Sequence, residues 1–278
     1  MDVSIVAPFY NEERHIEGAI RALLAFDYPE DRYEILMVDN NSTDGSAEIV
    51  KRYPRVRLCS EPRQGDFAAR NRGIAESTGE IIAFTDCDTA PHADWIHAIR
   101  KEMENPRTKI VVGALRFSER SRPLQLMADY ESAKNEYIFG SDVPEIYYGY
   151  TCNLAVRRSV FDELGPYPEV FRNSDVVMVR KVVDAFSCDA VVFGRQVNVL
   201  RLEVASFASY LQKQVIYGRD LKRYASIADA RPLNTKERFE AFRLCTRMNG
   251  YGPLKSAALL SLLTMGAAAY EYGRLRGR

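Results

Sequence analysis

The stretch "GEIIAFTDCDTAPHADWI", residues 79–96, combines the pattern of a buried strand with an unusual ending. The apolar run from Ile81 to Phe84 is short and bounded by turn-forming residues, which predicts a strand covered on both faces. This strand ends on Asp86 and Asp88, two carboxylates one residue apart. Two like charges at the end of a buried strand repel each other unless a positive group lies between them. The stretch therefore predicts a buried strand and raises the question of what the two carboxylates at its end are for.

Outward from this strand, short apolar runs alternate with helical patterns through the first half of the chain. The predicted strands and the helices between them are 3–8, 14–26, 33–40, 42–53, 56–60, 66–78 and 80–86. Alternation of strands and helices at this spacing is typical of βαβ units. The strands are apolar throughout, as expected when helices cover both faces of a sheet. We therefore predict an α/β fold with a mainly parallel sheet flanked by helices.

Three of the predicted strands end on carboxylates or turn-forming residues, at positions 8–10, 39–41 and 86–88. In open α/β sheets, ligands bind just outside the carboxyl ends of the strands. We therefore expect the functional site on this rim of the sheet.

The second half of the chain has a looser pattern. It predicts helices near 93–104, 123–138 and 173–186, and strands near 109–117 and 189–204. Asn173 or Ser174 stands where the third of these helices begins, a position that favours polar side chains. Residues 205–278 are predicted to form a helical C-terminal extension.

The charge of the chain is unevenly distributed, although 38 basic and 38 acidic side chains give a net charge of zero. Residues 195–278 hold 15 basic and 6 acidic side chains, a net charge of +9, so residues 1–194 carry −9. This division suggests metal binding in the first part and contact with phosphate or a membrane in the second. Basic, solvated helix faces are the alternative interpretation. Nucleic acid is not an expected partner, because no recognition module is visible.

The C-terminal extension contains two helical patterns of different character. Residues 206–227 form a basic amphipathic pattern, and residues 256–270 form an uncharged run. A membrane-spanning helix needs about 20 apolar residues, so the uncharged run is short for one. It predicts a helix that either packs on the rest of the protein or lies at a membrane surface.

The cysteine pattern and the absence of several known sequence motifs argue against some classes of protein. Five cysteines without a Cys-x-x-Cys pair argue against a zinc site or a disulfide framework. The N-terminus "MDVSIVAPFYNEE" does not resemble a signal peptide, so we expect a cytoplasmic protein, with peripheral attachment at the inner face of the membrane left open. Glycine-rich dinucleotide and phosphate loops, a Gly-x-Ser-x-Gly turn and His-Glu-x-x-His are absent from the sequence. A dehydrogenase, P-loop kinase, serine hydrolase or zinc protease is therefore not expected.

The Asp86-x-Asp88 pair suits a hard divalent cation, whose ligands are oxygens and commonly include the phosphates of a bound nucleotide. The alternative is that one of the two aspartates caps a helix beginning near Pro91. The pair alone does not decide between these interpretations.

Four segments in order resemble one protein family: "SIVAPFYNEE", "VDNNSTDGS", "RQGDFAARNRGIAESTGEIIAFTDCD" and "GYTCNLAVRR". They resemble the family 2 glycosyltransferases, inverting enzymes with the GT-A fold, over about residues 3–183. The resemblance implies a Rossmann-like sheet and a nucleoside diphosphate sugar donor of UDP or GDP type. It also implies transfer of a hexose to a hydroxyl of a glycan, lipid-linked or other acceptor, assisted by Mn²⁺ or Mg²⁺. The implied catalytic domain is 1–204, with a nucleotide-binding half to about 117 and an acceptor half from about 118.

The resemblance implies a nucleotide-sugar site on the expected rim of the sheet. Its residues would be Ala7, Pro8, Tyr10, Glu12, Asp39, Gln64, Gly65, Arg70, Asp86 and Cys87. Three of these have structural alternatives: Tyr10 as an ordinary strand-end aromatic, Asp39 as the acceptor of an Asx-turn, and Arg70 as a surface salt bridge.

The resemblance also assigns the chemical roles. Asp88 would coordinate the metal ion on the diphosphate, with Asp86 contacting the ribose, the metal or its bound water, and the metal would neutralise the departing nucleotide. Asp175 would be the general base for the acceptor hydroxyl; its alternative is a helix acid that interacts favourably with the helix dipole. The acceptor contacts would be Trp95, Cys152 and Asn153.

The chain departs from the family pattern at two places. Asn173 and Ser174 precede Asp175 where a glutamate is common, and Arg201 and Glu203 stand where many relatives have a histidine. The second departure implies a weaker metal dependence. Both leave open a catalytically silent nucleotide-sugar or lipid-binding protein of the same fold. A sugar nucleotidyltransferase is the other alternative, but "PFYNEERHI" is not the glycine-rich basic loop that it needs.

Overall fold

The computed structural model describes residues 1–118, 120–169, 173–224 and 230–276, with side chains for all of these except 220–224. The strands are β1 Val3–Phe9, β2 Tyr33–Asp39, β3 Val56–Ser60, β4 Ile81–Thr85, β5 Thr89–Pro91, β6 Ile110–Arg116, β7 Asn153–Arg157 and β8 Val191–Arg201. The helices are α1 Ile16–Leu24, α2 Ser46–Val50, α3 Asp66–Glu76, α4 Trp95–Glu102, α5 Arg122–Phe139, α6 Arg158–Leu164, α7 Ser174–Ala185, α8 Phe207–Tyr224, α9 Thr235–Met248 and α10 Pro253–Arg276.

The eight strands form one sheet in the order β3-β2-β1-β4-β7-β6-β8-β5. The predicted parallel part is confirmed: β1 pairs in parallel with β2 and β4, and β2 pairs in parallel with β3. The sheet as a whole is mixed, because β7 enters between β4 and β6 and is antiparallel to both. The α/β class is therefore confirmed, with antiparallel pairing where the second half of the chain joins the sheet.

The parallel strands are buried because their residues are apolar on both faces. All residues of β4 are buried, as are six of the seven in β1, and apolar side chains of α1 pack in the same core. Continuous apolar strands of this kind are typical of parallel sheets covered on both sides. This packing fixes where β1, β2 and β4 end, and therefore fixes the rim on which the candidate site lies.

The segment after β4 differs from its predicted form. The short strand β5 follows the two aspartates, and the next helix begins at Trp95 with Asp94 as its N-cap. The alternative in which Asp86 or Asp88 caps a helix near Pro91 is therefore wrong. The backbone oxygen of Asp86 instead accepts hydrogen bonds from Thr89, from N–H at 3.3 Å and from Oγ1 at 2.8 Å.

The chain divides into two compact units, residues 1–114 with 148–199, and residues 115–147 with 200–278. The second unit has its own apolar cluster, built from α5 and the C-terminal helices α8, α9 and α10. The sequence places α5 before residue 204, in the predicted catalytic domain, but its contacts group it with the C-terminal helices. The assignment of residues 1–204 to one catalytic domain stays a prediction.

Two helices of the second unit, α8 and α10, pack with their backbones in close contact. A Cβ at Gly218 would lie 2.0 Å from the backbone oxygen of Tyr270, and a Cβ at Gly273 would lie 2.1 Å from that of Val215. Glycine is therefore required at both positions.

The predicted helix 206–227 is confirmed to Tyr224, and its last residues lie outside the described part of the chain. No helix in that described part is long and apolar enough to cross a membrane.

Candidate active site

The two aspartates after β4 lie in a turn that is fixed from several directions. The Oγ1 atoms of Thr85 and Thr89 are 2.8 Å apart, which ties the end of β4 to the start of β5. The thiol of Cys87 is buried and donates to the backbone oxygen of Pro8 at 3.8 Å. Burial raises the pKa of this thiol, so it stays protonated and only the backbone of Cys87 could contact a nucleotide. The turn leaves Asp86 and Asp88 partly exposed beside the end of β1.

Arg70 of α3 lies behind this turn. Its side chain is 5% exposed, and its Nη2 donates to Oδ1 of Asp86 at 2.6 Å. The Nη1 atom donates to the backbone oxygen of Asp66 at 3.2 Å, and the guanidinium lies over the ring of Phe67. The alternative of a surface salt bridge for Arg70 is therefore wrong, because the ion pair is buried on the arginine side. Its predicted contact with the nucleotide stays a prediction.

The end of β2 is shaped by hydrogen bonds that sequence analysis partly missed. Oδ1 of Asp39 accepts from the N–H of Ser42 at 2.9 Å, so Asp39 is a hydrogen-bond acceptor in the turn after β2, although the bond reaches three residues ahead and not the two of an Asx-turn. Asn40 is 3% exposed; its Nδ2 donates to the backbone oxygens of residues 61 and 63, and its Oδ1 accepts from the N–H of Gly65. Asn40 therefore holds the loop that carries Gln64 and Gly65. In the sequence, Asn40 cannot be distinguished from the other turn-forming residues of "DNNS".

The other predicted nucleotide contacts lie at the end of β1 and on the adjoining loops. Ala7 is buried, Pro8 is partly exposed, and the ring of Tyr10 is 49% exposed. Glu12 accepts from Nδ1 of His15 at 3.0 Å, and Gln64 is exposed. Gly65 has φ +146°, a backbone conformation that L-residues rarely adopt. The structure gives these positions, and their contact with a nucleotide stays a prediction.

Asp175 lies in the first turn of α7, as predicted. Its Oδ2 accepts from the N–H of Thr151 at 3.3 Å and its Oδ1 from the N–H of Val176 at 2.9 Å. Although the residue keeps some accessible surface, burial raises the pKa of its carboxyl to about 6, against the opposing effect of these hydrogen bonds and of Arg70. A carboxyl with this pKa can accept a proton near neutral pH.

The segment before α7 is anchored by contacts that sequence analysis did not identify. The amide of Asn71 makes two hydrogen bonds with the backbone of Tyr167, at 2.8 and 3.0 Å. Arg63 forms an ion pair with Glu169 at 2.9 Å, and the hydroxyl of Ser174 donates to the backbone oxygen of residue 168. These contacts join α3 and the loop after β3 to the chain that leads into α7. Side chains this distant in sequence leave no local pattern from which the contacts could be found.

Two of the three predicted acceptor contacts belong to the core instead. Trp95 and Asn153 are both fully buried, and Nε1 of Trp95 donates to Oδ1 of Asn153 at 2.9 Å. The amide of Asn153 also donates to two backbone oxygens, and Trp95 stacks on Phe26 with ring centroids 5.8 Å apart. Neither side chain presents surface to an acceptor, so we correct both assignments to packing roles. Cys152 is partly exposed, and its role stays a prediction.

The two carboxylates that follow β4 suit a hard divalent cation whose remaining ligands come from a bound substrate. Among the described residues, no group of three or more His, Cys, Asp or Glu side chains is placed to hold a metal ion. Mg²⁺ sites with one or two protein carboxylates, completed by phosphates and water, are common. Asp88 and the second oxygen of Asp86 match this donor number. In the second unit, Arg201 and Glu203, which stand where many relatives have a histidine, form an ion pair with each other.

A family comparison identifies the class of protein. The model of Glycosyl transferase family 2 matches residues 4–165, more than half of the chain. The chain belongs to this family, and its sheet and flanking helices form the GT-A fold.

Similar proteins include glycosyltransferases of all three domains of life. Glycosyltransferase AglE of Haloferax volcanii is 32% identical over 189 residues, 66% of this chain and 62% of that protein. Dolichyl-phosphate beta-glucosyltransferase ALG5C of Trichomonas vaginalis is 32% identical over 126 residues, 40% of this chain and 37% of that protein. Probable glycosyltransferase YdaM of Bacillus subtilis is 26% identical over 201 residues, 65% of this chain and 46% of that protein. The matches therefore span less than two thirds of the length of each relative.

Solved structures of similar fold contain nucleotide sugars. The mannosyltransferase PcManGT of Pyrobaculum calidifontis, in complex with GDP-Man and Mn²⁺, aligns with a TM-score of 0.65 and 20% identity over 99% of this chain and 86% of that chain. Glucosyl-3-phosphoglycerate synthase of Mycobacterium tuberculosis, in complex with Mn²⁺, UDP-glucose and phosphoglyceric acid, aligns with a TM-score of 0.52 and 20% identity over 71% of this chain and 70% of that chain. At these identities the likeness shows the fold alone.

Proposed function

We propose that the protein is an inverting glycosyltransferase that moves a sugar from a nucleoside diphosphate donor to an acceptor hydroxyl. The observation that carries this proposal is the pairing, within one unit, of two chemically different carboxylate sites. Asp86 and Asp88 follow β4 and suit a metal-bound diphosphate, whereas Asp175 is a separate carboxyl whose pKa is raised to about 6. A transferase of this kind needs both: one site for the leaving group and one base for the nucleophile.

The proposed mechanism is a single displacement at the anomeric carbon. Asp175 accepts the proton of the acceptor hydroxyl as its oxygen bonds to that carbon, and the bond to the nucleoside diphosphate breaks on the opposite face. Asp88 and Asp86 would hold Mn²⁺ or Mg²⁺ together with the diphosphate, and the metal would supply Lewis-acid chemistry at the leaving group. Inversion of the anomeric centre follows from a single displacement, and it rests on the family's chemistry.

The donor is proposed to be of GDP or UDP type, because similar folds hold GDP-Man and UDP-glucose. Tyr10 supports base binding, since its exposed ring stands at the end of β1. The silent nucleotide-sugar-binding alternative is less well supported, because carboxyls with a raised pKa cluster at catalytic sites.

Contact with a membrane surface stays a prediction for the C-terminal helices. The large apolar side chains of α10 that are half exposed or more are Leu254, Leu260, Met265 and Leu275. Flotation of the protein with vesicles that contain anionic lipid, compared with neutral vesicles, would test this contact. Protein that does not float with either type of vesicle would contradict this contact.

Calorimetric titration of UDP and GDP, with and without Mn²⁺, tests the proposed function at its donor site. We expect one nucleotide to bind wild type tightly only with the metal, and Asp88→Asn to weaken that binding about tenfold or more. Asp94→Asn is the matched control, because Asp94 is an exposed acid on the same segment that pairs with His92. Binding of neither nucleotide under any metal condition would overturn the proposal.

A further inference from the structure

Two loops on the rim of the sheet are joined by a set of hydrogen bonds: the β1 loop, residues 10–15, and the β2 loop, residues 40–46, which includes the first residue of α2. Three consecutive backbone N–H groups of the β1 loop donate to side-chain oxygens of the β2 loop: Asn11 to Oγ of Ser42 at 3.0 Å, Glu12 to Oγ of Ser46 at 2.9 Å, and Glu13 to Oδ2 of Asp44 at 3.1 Å. These N–H groups are therefore already occupied before any ligand arrives.

The β2 loop also donates back to the β1 loop. The N–H of Thr43 donates to Oδ1 of Asn11 at 2.8 Å, and the N–H of Gly45 donates to Oε2 of Glu13 at 3.4 Å. Most of these bonds are exposed to water and individually weak, so the loops are held together by their number. Asn11 takes part twice, as a backbone donor and as a side-chain acceptor.

Asn11 also fixes the backbone next to Tyr10. Its φ is +54°, in the left-handed region that asparagine tolerates better than most residues with a side chain. On the other side of Tyr10, the backbone oxygen of Phe9 accepts from the N–H of Asn40 at 2.9 Å. Both neighbours of Tyr10 are thus tied to the β2 loop, while the ring of Tyr10 is 49% exposed. The structure therefore holds an exposed aromatic ring on a fixed backbone.

Tyr10 lies beside the point of the sheet at which the strand order reverses. From β1 the chain runs outward through β2 to β3, and it then returns to the other side of β1 as β4. In open α/β sheets, ligands bind at this point, outside the carboxyl ends of the strands. Tyr10 follows β1 and Asp86 follows β4, so the two residues flank the place where a ligand is expected. An aromatic ring at this place suits the flat face of a nucleobase.

We propose that Asn11 is a positioning residue for the donor: it joins the β1 and β2 loops before the nucleotide binds and so holds the ring of Tyr10 ready to stack on the base. This inference rests on the proposed function, because the base is that of the nucleoside diphosphate. Since the loops are already joined, base binding costs little conformational freedom. Asn11 acts through Tyr10, so its effect on affinity must depend on the presence of the tyrosine ring.

The test is a double-mutant cycle on nucleotide affinity, measured by calorimetric titration of UDP and GDP with Mn²⁺. Asn11→Gly keeps the left-handed backbone and removes the side-chain acceptor, and we expect it to weaken binding about fivefold to tenfold. Tyr10→Ala is expected to weaken binding about tenfold, through the loss of stacking. The double variant should bind within about twofold of Tyr10→Ala alone. Equal losses from Asn11→Gly in the presence and absence of the Tyr10 ring would overturn the inference.

Two further variants separate the side-chain bond from a general disturbance of the loops. Asn11→Asp keeps a side-chain oxygen that can accept from the N–H of Thr43, so its affinity should stay within about threefold of wild type. Ser42→Ala removes the acceptor on the other loop, and it should weaken binding by about twofold to fivefold. Ser42→Ala also decides the question if Asn11→Gly does not fold, because unchanged affinity in Ser42→Ala would then overturn the inference.

Asn105→Gly is the matched control. Asn105 is an exposed asparagine between α4 and β6, and its Oδ1 likewise accepts from a backbone N–H, that of Arg107 at 3.1 Å. The variant should bind nucleotide as wild type does. A loss in Asn105→Gly as large as that in Asn11→Gly would overturn the inference.

Hydrogen exchange of the nucleotide-free protein tests whether the loops are joined before binding. The N–H groups of Asn11, Glu12, Glu13 and Thr43 should exchange about tenfold or more slowly than freely exposed amides. In Asn11→Gly, the N–H of Thr43 should lose this protection, because its acceptor is gone. Protection that appears in wild type only after the nucleotide is added would overturn the inference, since the loops would then close on the ligand.

The outcomes also separate this inference from the proposed function. Metal-dependent binding of UDP or GDP by wild type that Asn11→Gly leaves unchanged would support the proposed function and overturn the inference. Binding of neither nucleotide by wild type would overturn both.

Discussion

At the scale of single residues, the environment of Asp175 decides what this carboxyl can do. It lies at the start of a helix and accepts two backbone N–H bonds, both of which favour the charged form. Burial outweighs them and raises its pKa to about 6. A first-turn acid that served only the helix dipole would be stabilised in its charged form, so the raised pKa favours a role in proton transfer.

Asp175→Asn is expected to lower the rate of sugar transfer about 10²- to 10⁴-fold, because the acceptor hydroxyl loses its base. Nucleotide binding should be retained, since Asp86 and Asp88 are unchanged. In wild type, kcat/KM should rise with pH up to about 6 and then level off, as the charged form of Asp175 becomes complete. Rates with a UDP- or GDP-sugar, measured from pH 5 to 8, check both expectations.

Asp184→Asn is the control for this prediction, because Asp184 is an exposed acid on the same helix that pairs with Arg180 at 3.2 Å. Its rate should match wild type. An Asp175→Asn protein that keeps more than about a tenth of the wild-type rate would contradict the assignment of the base.

The same residue scale shows where sequence analysis succeeds and where it does not. Asp86 and Asp88 were singled out because they follow a buried strand, and Asp175 because the family resemblance assigned it; the structure places them after β4 and in the first turn of α7, and their roles stay predictions. Trp95 and Asn153 were misassigned because their hydrogen bond joins residues 58 positions apart. A polar side chain near a site looks the same in sequence whether it faces a ligand or a buried partner.

At the scale of elements, α3 packs on the sheet so closely that it depends on one glycine. A Cβ at Gly73 would lie 2.3 Å from Cγ1 of Val6, a residue of β1 with no exposed surface. The contact explains how α3 is held rigidly enough for Arg70 and Asn71 to act on two different segments. It also makes the helix sensitive to a single methyl group.

Gly73→Ala is expected to lower the free energy of unfolding by about 1–3 kcal/mol, because the new methyl group overpacks the interface of α3 with β1. Gly18→Ala on α1 is the matched control: a Cβ there meets nothing within 4 Å, so the change should stabilise by up to about 1 kcal/mol. Urea unfolding of the two variants checks the difference. Equal stabilities would show that α3 can shift away from β1, and would weaken the argument that α3 is a rigid connector.

Element prediction from sequence follows the same division between local and distant information. The strands β1 to β4 and helices α1 and α3 were predicted within a few residues, because their apolar patterns are regular and bounded by turns. The three-residue strand β5 was missed, since a segment that short and ending on proline has no periodicity; it lies at the edge of the sheet, where proline is tolerated. The antiparallel entry of β7 was missed because strand direction depends on the whole path of the chain.

At the scale of the whole molecule, the proposed chemistry lies in one of the two units. Asp86, Asp88, Arg70 and Asp175 all belong to the unit formed by residues 1–114 and 148–199. The family match at residues 4–165 covers most of this unit. Keeping the pKa of the Asp175 carboxyl raised therefore lowers the stability of the same unit that contains the core of the sheet.

The pH dependence of stability should reveal that cost. The pKa of Asp175 is about 6 in the folded protein and near 3.8 when unfolded, so between these values the folded state holds a proton that the unfolded state has released. Raising the pH from about 4 to about 6 therefore removes stability, and at pH 7 the loss is on the order of 1–3 kcal/mol. In Asp175→Asn this loss is absent. The free energy of unfolding of Asp175→Asn, measured relative to that of wild type, should thus increase between about pH 4 and about pH 6. Above about pH 6 the difference should stay constant.

The fluorescence of Trp95, the single tryptophan of the chain, follows the unfolding of this unit, because its side chain is fully buried in the core of the sheet. Urea unfolding of wild type and Asp175→Asn at pH 4, 5, 6 and 7 gives the difference, since the two proteins differ only at this side chain. Asp184→Asn, which changes an exposed acid, should follow the wild-type curve. Parallel curves for wild type and Asp175→Asn would mean that the carboxyl is solvated in the folded state, and the argument for a base held near neutral pH would fail with it.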